Sequence, residues 1–161
     1  MTITPFPQRK ILFVSNGGIC RAPMAAGILH GLIREQGRAH TIAITTAAIS
    51  GIHVGKTADS LAIEASATRG CDIRDFRVHR VEPQDLLATE VLATDKIVLA
   101  ALRNLAPHGL GDRPQLLTRY SGMGLVDIVD PYGGTVADYR SELDLIEASC
   151  KGLAAALLRR R

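Results

Sequence analysis

Apolar positions in this chain follow two periods, and the changes between them mark out its elements. Ile11 to Val14 is an unbroken apolar run, the pattern of a strand buried on both faces. Met24 to Glu35 carries Ile28, Leu29, Leu32 and Ile33 along one side and stops at Gly37. This is an amphipathic helix, opened by Arg21, Ala22 and Pro23, with the proline in the first turn where a missing N–H costs nothing. Thr41 to Thr46 alternates and is β-branched, a second strand. Ala58 to Thr68 predicts a second helix, stopped at Gly70. His79 to Val81 reads as a short strand, and Glu82-Pro83-Gln84-Asp85 as a helical turn. Asp95 to Ala100 reads as a third core strand, Leu102 to Ala106 as a short helix ended by Pro107, and Pro114 to Thr118 as the last strand. After a loop from Gly122 to Gly134, Ala137 to Leu158 sets Tyr139, Leu143, Ile146, Cys150, Leu153 and Leu157 at helical spacing.

Strands alternating with helices predict a single α/β domain over residues 9–161, with a mainly parallel four-stranded sheet flanked by helices on both faces. The 161 residues suffice for one sizeable core. Residues 1–8, with Pro5 and Pro7, read as a flexible lead-in. A net charge of +3 is too mild to argue for nucleic acid, though it suits acidic or phosphorylated partners. The Arg159-Arg160-Arg161 tail reads as a solvated helix end. No apolar run approaches a membrane span and no secretion signal is evident. Cys20, Cys71 and Cys150 are too few and too scattered for a disulfide framework or a zinc site. A cytoplasmic protein with no metal and no cofactor is expected, and neither nucleic acid nor membrane as a partner.

One stretch carries the chemistry. After the first strand come Ser15, Asn16, Gly17, Gly18, Ile19 and Cys20, then Arg21 at the start of a helix. Strand, glycine-bearing loop and helix N-terminus make an anion site, because backbone N–H groups converge there and the helix dipole favours negative charge. Arg21 adds a planar fork of donors suited to a tetrahedral oxyanion. A nucleotide-binding reading of Gly17-Gly18 fails for want of a Walker lysine or a G-x-G-x-x-G string. Near the other end, Asp130-Pro131-Tyr132-Gly133-Gly134 is by itself an ordinary turn sequence just ahead of the last helix.

Together the two motifs resemble the low-molecular-weight protein tyrosine phosphatases. That family has an apolar strand, a Cys, five residues, Arg, Ser or Thr, and Pro, and carries its general acid in an Asp-Pro-Tyr loop before the final helix. Five residues separate Ser15 from Arg21 here. Thr46-Ala47, the segment Gly51 to Asp59, Arg77 to Val81 and Asp95 to Leu105 are similar in pattern, so the likeness runs over roughly residues 9–155. It implies the phosphatase fold. It further implies a phosphate cradle of Ser15, Asn16, Gly17, Gly18, Ile19, Cys20 and Arg21, with Arg21 the oxyanion clamp and Asp130 the general acid. Ile52 and Tyr132 would wall the substrate ring. Phosphotyrosine proteins, aryl phosphates and phosphate- or sulfate-type anions are the implied partners. In such a site a cysteine thiolate attacks phosphorus, the aspartate protonates the leaving oxygen, and water hydrolyses the cysteinyl-phosphate with no metal.

Ser15 stands where the family has that cysteine. A serine hydroxyl is far less acidic than a thiol, and the family's site supplies no histidine base; His53 reads as a loop residue. Further departures are Gly18 for Asn, Ala22 for the Ser or Thr after the arginine, and Ala100-Ala101 for the Met-Asp pair after the third core strand. Cys20 is expected beneath the loop, where the family's cysteine can form a protective disulfide with the nucleophile; Ser15 forbids that bond. Cys150 is expected in the core and Cys71 to be inert. The chain is therefore expected to bind phosphotyrosine while being inactive or substrate-trapping. A natural pseudophosphatase acting as a phosphotyrosine-binding module is the alternative reading. Arsenate reductase would need two further cysteines on a mobile segment. A protein-arginine phosphatase would favour threonine at Ile19.

Overall fold

A computed structural model describes residues 9–159; the expected lead-in at residues 1–8 and the final two arginines lie outside the described residues. β1 (Arg9–Ser15), β2 (Ile42–Ala48), β3 (Glu90–Ala93) and β4 (Pro114–Leu116) form one sheet in the order β2-β1-β3-β4, with every neighbouring pair parallel. The helices are α1 (Arg21–Glu35), α2 (Ser60–Ala67), α3 (Lys96–Leu105) and α4 (Val136–Arg159).

β1 is central because residues 11–15 are buried on both faces. Successive side chains of a strand point to opposite faces, so this one run feeds two cores. Ile11 and Phe13 pack with Met24, Leu29 and Ile33 of α1, Ala62 of α2 and Leu143, Ile146 and Leu153 of α4. Leu12 and Val14 pack with Val98, Leu99 and Leu102 of α3 on the other side. Strand order reverses direction between β1 and β3, and the carboxyl ends of these two strands open the crevice where such sheets bind ligands. No helix among the described residues is long and apolar enough to cross a membrane.

Three sequence expectations are corrected. Asp95 to Ala100 is not a strand. Asp95 caps α3, its Oδ1 accepting from the Val98 amide at 2.8 Å. The run Ile97-Val98-Leu99 mimics a strand, but burial of Val98, Leu99 and Leu102 with Ile97 82% exposed is a helical period. Leu102 to Leu105 continues this same helix. The third core strand lies earlier, at Glu90-Val91-Leu92-Ala93, and pairs Leu92 with Phe13. Four residues are too few to show alternation. His79 to Val81 forms only an isolated bridge, in which Ala48 donates to the His79 carbonyl and Val81 to the Ala48 carbonyl. The last strand ends at Leu116 and turns through Leu117–Tyr120. Gly152 of α4 lies against this turn; a Cβ there would come within 1.9 Å of the Tyr120 carbonyl oxygen.

Candidate active site

The loop at residues 16–20 leaves the end of β1 and enters α1 directly. It is pinned from outside: Ile49 donates to the Ser15 carbonyl, Ser50 to that of Asn16 and Asp59 to that of Ile19. With these carbonyls held outward, the amides are free to face inward. The Gly18 N–H reaches the Ser15 hydroxyl at 3.2 Å, which places Ser15 Oγ inside the curve of the loop. Gly18 has φ +77°, the left-handed region where a side chain is strained. Space forbids a side chain as well, since a Cβ would lie 2.8 Å from Ala48 Cβ and 3.0 Å from Val78 Cγ1. The neighbours have closed around a glycine, which leaves no room for asparagine.

Arg21 is the first residue of α1 and is 3% exposed. Its Nη1 donates to Asp95 Oδ2 at 2.6 Å and to the Ile128 carbonyl at 2.8 Å, which fixes the guanidinium. The second nitrogen, Nη2, lies 3.9 Å from Asp130 Oδ2. Asp95 is not among the residues the sequence points to, because the run Asp95 to Ala100 reads as a strand. The sequence signal for it is an aspartate one residue past the apolar run Val91-Leu92-Ala93, at a helix start. The β3 boundary also corrects the matching of the Met-Asp pair. The residues that follow the third strand are Thr94-Asp95, so the aspartate is present; Ala100 and Ala101 lie within α3.

Asp130 is held by the segment around it. Ile128 donates to the Thr94 carbonyl, Lys96 to Asp127 Oδ1 and Val129 to Glu142 Oε2. Asp130 Oδ1 accepts from the Tyr132 amide at 3.1 Å, and Gly134 closes a turn onto the Pro131 carbonyl with Gly133 at φ +81°. The Asp130 carboxylate is half exposed, at the mouth rather than in the core.

Cys20 sits beneath the loop. Its sulfur is 3.3 Å from the Tyr139 hydroxyl, which donates to Asp59 Oδ2 at 2.9 Å. Burial pushes the Cys20 thiol up to about 12, although the Tyr139 hydrogen bond and Arg21 pull the other way. Cys150 is buried against the Ala25 carbonyl, and neither it nor Cys71 borders the loop's pocket.

These residues enclose one pocket of about 150 Å³. Its lining brings together all the expected residues: Ser15, Asn16, Gly17, Gly18, Ile19, Cys20 and Arg21 at the base, with Ile52, Asp130 and Tyr132 around the rim. His53 joins them, its ring centroid 6.2 Å from that of Tyr132. One of its ring nitrogens, Nδ1, lies 3.3 Å from Lys56 Nζ. Nothing in spacing separates a rim histidine from any other loop histidine, so the sequence marks His53 only as a loop residue. No group of three or more His, Cys, Asp or Glu residues able to hold a metal occurs among the described residues.

A parallel α/β sheet with a buried arginine and a ring of loop amides at its topological switch point defines an oxyanion-binding domain of the phosphatase type. The chain belongs to the low molecular weight phosphotyrosine protein phosphatases, a family of hydrolases whose model matches residues 10–161. It is similar to the low molecular weight protein-tyrosine-phosphatase of Streptomyces coelicolor, at 31% identity over 92% of this chain and 93% of that one. Protein-tyrosine phosphatase A of Mycobacterium tuberculosis is 30% identical over 89% and 88%. Among solved structures, YfkJ of Bacillus subtilis superposes with a TM-score of 0.86 at 28% identity, covering 95% of this chain and 96% of that one. Vibrio vulnificus Wzb in complex with benzylphosphonate gives 0.81 at 25% identity, covering 92% and 98%.

Proposed function

We propose that this chain binds phosphotyrosine on a partner protein, or an aryl phosphate, and does not turn it over at an ordinary phosphatase rate. The carrying observation is the position of the Ser15 hydroxyl inside the loop, with Arg21 buried and Asp130 at the mouth. In this reading the amides of residues 16–20 and the Arg21 guanidinium hold the phosphoryl oxygens. Ile52, His53 and Tyr132 flank the aromatic ring. The benzylphosphonate complex of the Vibrio relative supports an aryl phosphate-shaped ligand.

The step that fails is the attack on phosphorus. A thiolate would form readily in this field, since a thiol starts near 8.5 and helix N-termini lower it. A serine alcohol needs a base, and the hydrogen bond at the Ser15 hydroxyl is one it accepts from the Gly18 amide, a donor that cannot take its proton. Asp130 remains placed to protonate a leaving phenolate, and Arg21 to stabilise the charge that develops.

Restoring the nucleophile tests the reading. Ser15→Cys is expected to create hydrolysis of an aryl phosphate with a product burst, and Asp130→Asn in that background to remove most of it. Ordinary phosphatase rates in the unaltered chain would overturn the proposal, while silence of the Ser15→Cys variant would leave a binding module.

A further inference from the structure

The rim of the pocket is not uniform. On one side it carries Asp130 and the exposed ring of Tyr132. On the opposite side two adjoining loops, residues 49–56 and 77–80, are laced together. Gly55 donates to the Val78 carbonyl, Val78 to the Lys56 carbonyl, and Ala48 bridges to Arg80. These loops carry His53, Lys56, Arg77 and Arg80.

The cations here have no carboxylate of their own. Lys56 Nζ faces His53, itself in the pocket lining. Arg80 Nε donates to the Ile49 carbonyl and its side chain runs along Gly51, one residue before Ile52 of the rim. Arg77 caps the carbonyls of Arg74 and Phe76. Among the described residues none of these three cations forms an ion pair. Of the neighbouring acids, Asp72 pairs with Arg74, and Asp85 accepts from the Glu82 amide and lies against His79. An exposed cation is ordinarily just solvated. Two on loops joined by backbone hydrogen bonds form a ledge of positive charge beside the pocket rim, Lys56 through its contact with His53 and Arg80 alongside Gly51.

We propose that this ledge, centred on Lys56 and Arg80, docks acidic residues of the phosphotyrosine-bearing protein, so that the partner class is a phosphotyrosine with aspartate or glutamate beside it. The inference rests on the phosphotyrosine reading of the pocket. It concerns residues outside that pocket, where complementarity acts through longer-range, screened attraction.

The experiment compares labelled phosphotyrosyl peptides by fluorescence anisotropy, one with acidic flanks and one with serine and glycine flanks. Benzylphosphonate binding, measured by calorimetry, reports the pocket alone. Two to three exposed pairs predict an acidic peptide bound about five- to tenfold tighter than the neutral one at low salt. The preference is expected to vanish near 1 M salt, where the screening length is about 3 Å. Lys56→Gln with Arg80→Gln is expected to abolish the preference and leave benzylphosphonate affinity within about threefold. Arg80→Lys keeps the charge without the fork and is expected to retain the preference, which separates charge from loop support. Equal affinity for the two peptides, or a preference that survives the double variant, overturns the ledge while the pocket reading stands. Failure to bind benzylphosphonate and both peptides overturns the two together.

Discussion

Asp95 is where the structure makes its sharpest demand on the site. It does two jobs at once, accepting from the Val98 amide as the cap of α3 and pairing with Arg21 at 2.6 Å. Asn and Ala replacements separate them. Asparagine is as good an N-cap as aspartate, so Asp95→Asn keeps the cap and removes only the charge. The Arg21 side chain is 4% exposed and that of Asp95 16%, so solvent does little to replace the lost partner. Breaking a buried pair costs about 3 to 5 kcal/mol; the Ile128 carbonyl and the nearby Asp130 carboxylate still face the guanidinium and lower this to about 2 kcal/mol. Asp95→Ala adds a lost cap of about 1 kcal/mol, for a total near 3 kcal/mol. The chain has no tryptophan, so urea unfolding is best followed by circular dichroism, with benzylphosphonate affinity by calorimetry. Both variants are expected to weaken phosphonate binding about tenfold or more, because Arg21 loses the group that aims it. Changes below about 0.5 kcal/mol together with unaltered phosphonate affinity would refute the role assigned to Asp95.

Two further outcomes concern the loop. Gly18→Ala is expected to cost about 2 kcal/mol or more from the left-handed backbone and contact with Ala48, and to weaken phosphonate binding in the same calorimetric assay. The buried Cys20 thiol is expected to stay unlabelled by iodoacetamide in the native state at neutral pH, while half-buried Cys71 reacts slowly; all three cysteines label after unfolding, as counted by mass spectrometry. Its raised pKa also fixes a sign. The folded state holds the Cys20 proton and the unfolded chain releases it, so this contribution is full below pH 9 and is lost as pH rises from 9.0 to about 12. Alkaline unfolding of Cys20→Ser should lack that component; an identical pH profile would sink the claim.

Much of this molecule is written in local pattern. Ile11 to Val14 reads as a buried strand because four apolar residues between a charged stretch and a glycine loop are too few for a buried helix. The spacing from Ser15 to Arg21, Pro23 in the first turn and the Asp130-Pro131-Tyr132 string are all properties of neighbours in the chain. They announced the pocket's composition, and the structure gathers those residues around one cavity. The absence of a thiol at position 15 was equally plain, since side-chain chemistry needs no fold to be read.

What the chain order could not decide was partnership at a distance. Ile97-Val98-Leu99 suits a strand or a helix by propensity, and only packing of Val98, Leu99 and Leu102 on the sheet settles it as helix. With that, Asp95 passed from a strand residue to the group that holds Arg21, 74 positions away. The Cys20–Tyr139–Asp59 chain, the closeness of Ala48 and Val78 to Gly18, and His53 on the rim are likewise contacts across loops. Sequence determined which chemical groups line the candidate pocket, and that position 15 carries no thiol. Tertiary structure alone decided which of them are fixed in place, because burial and hydrogen bonding at one point are set by residues that meet only once the sheet has formed.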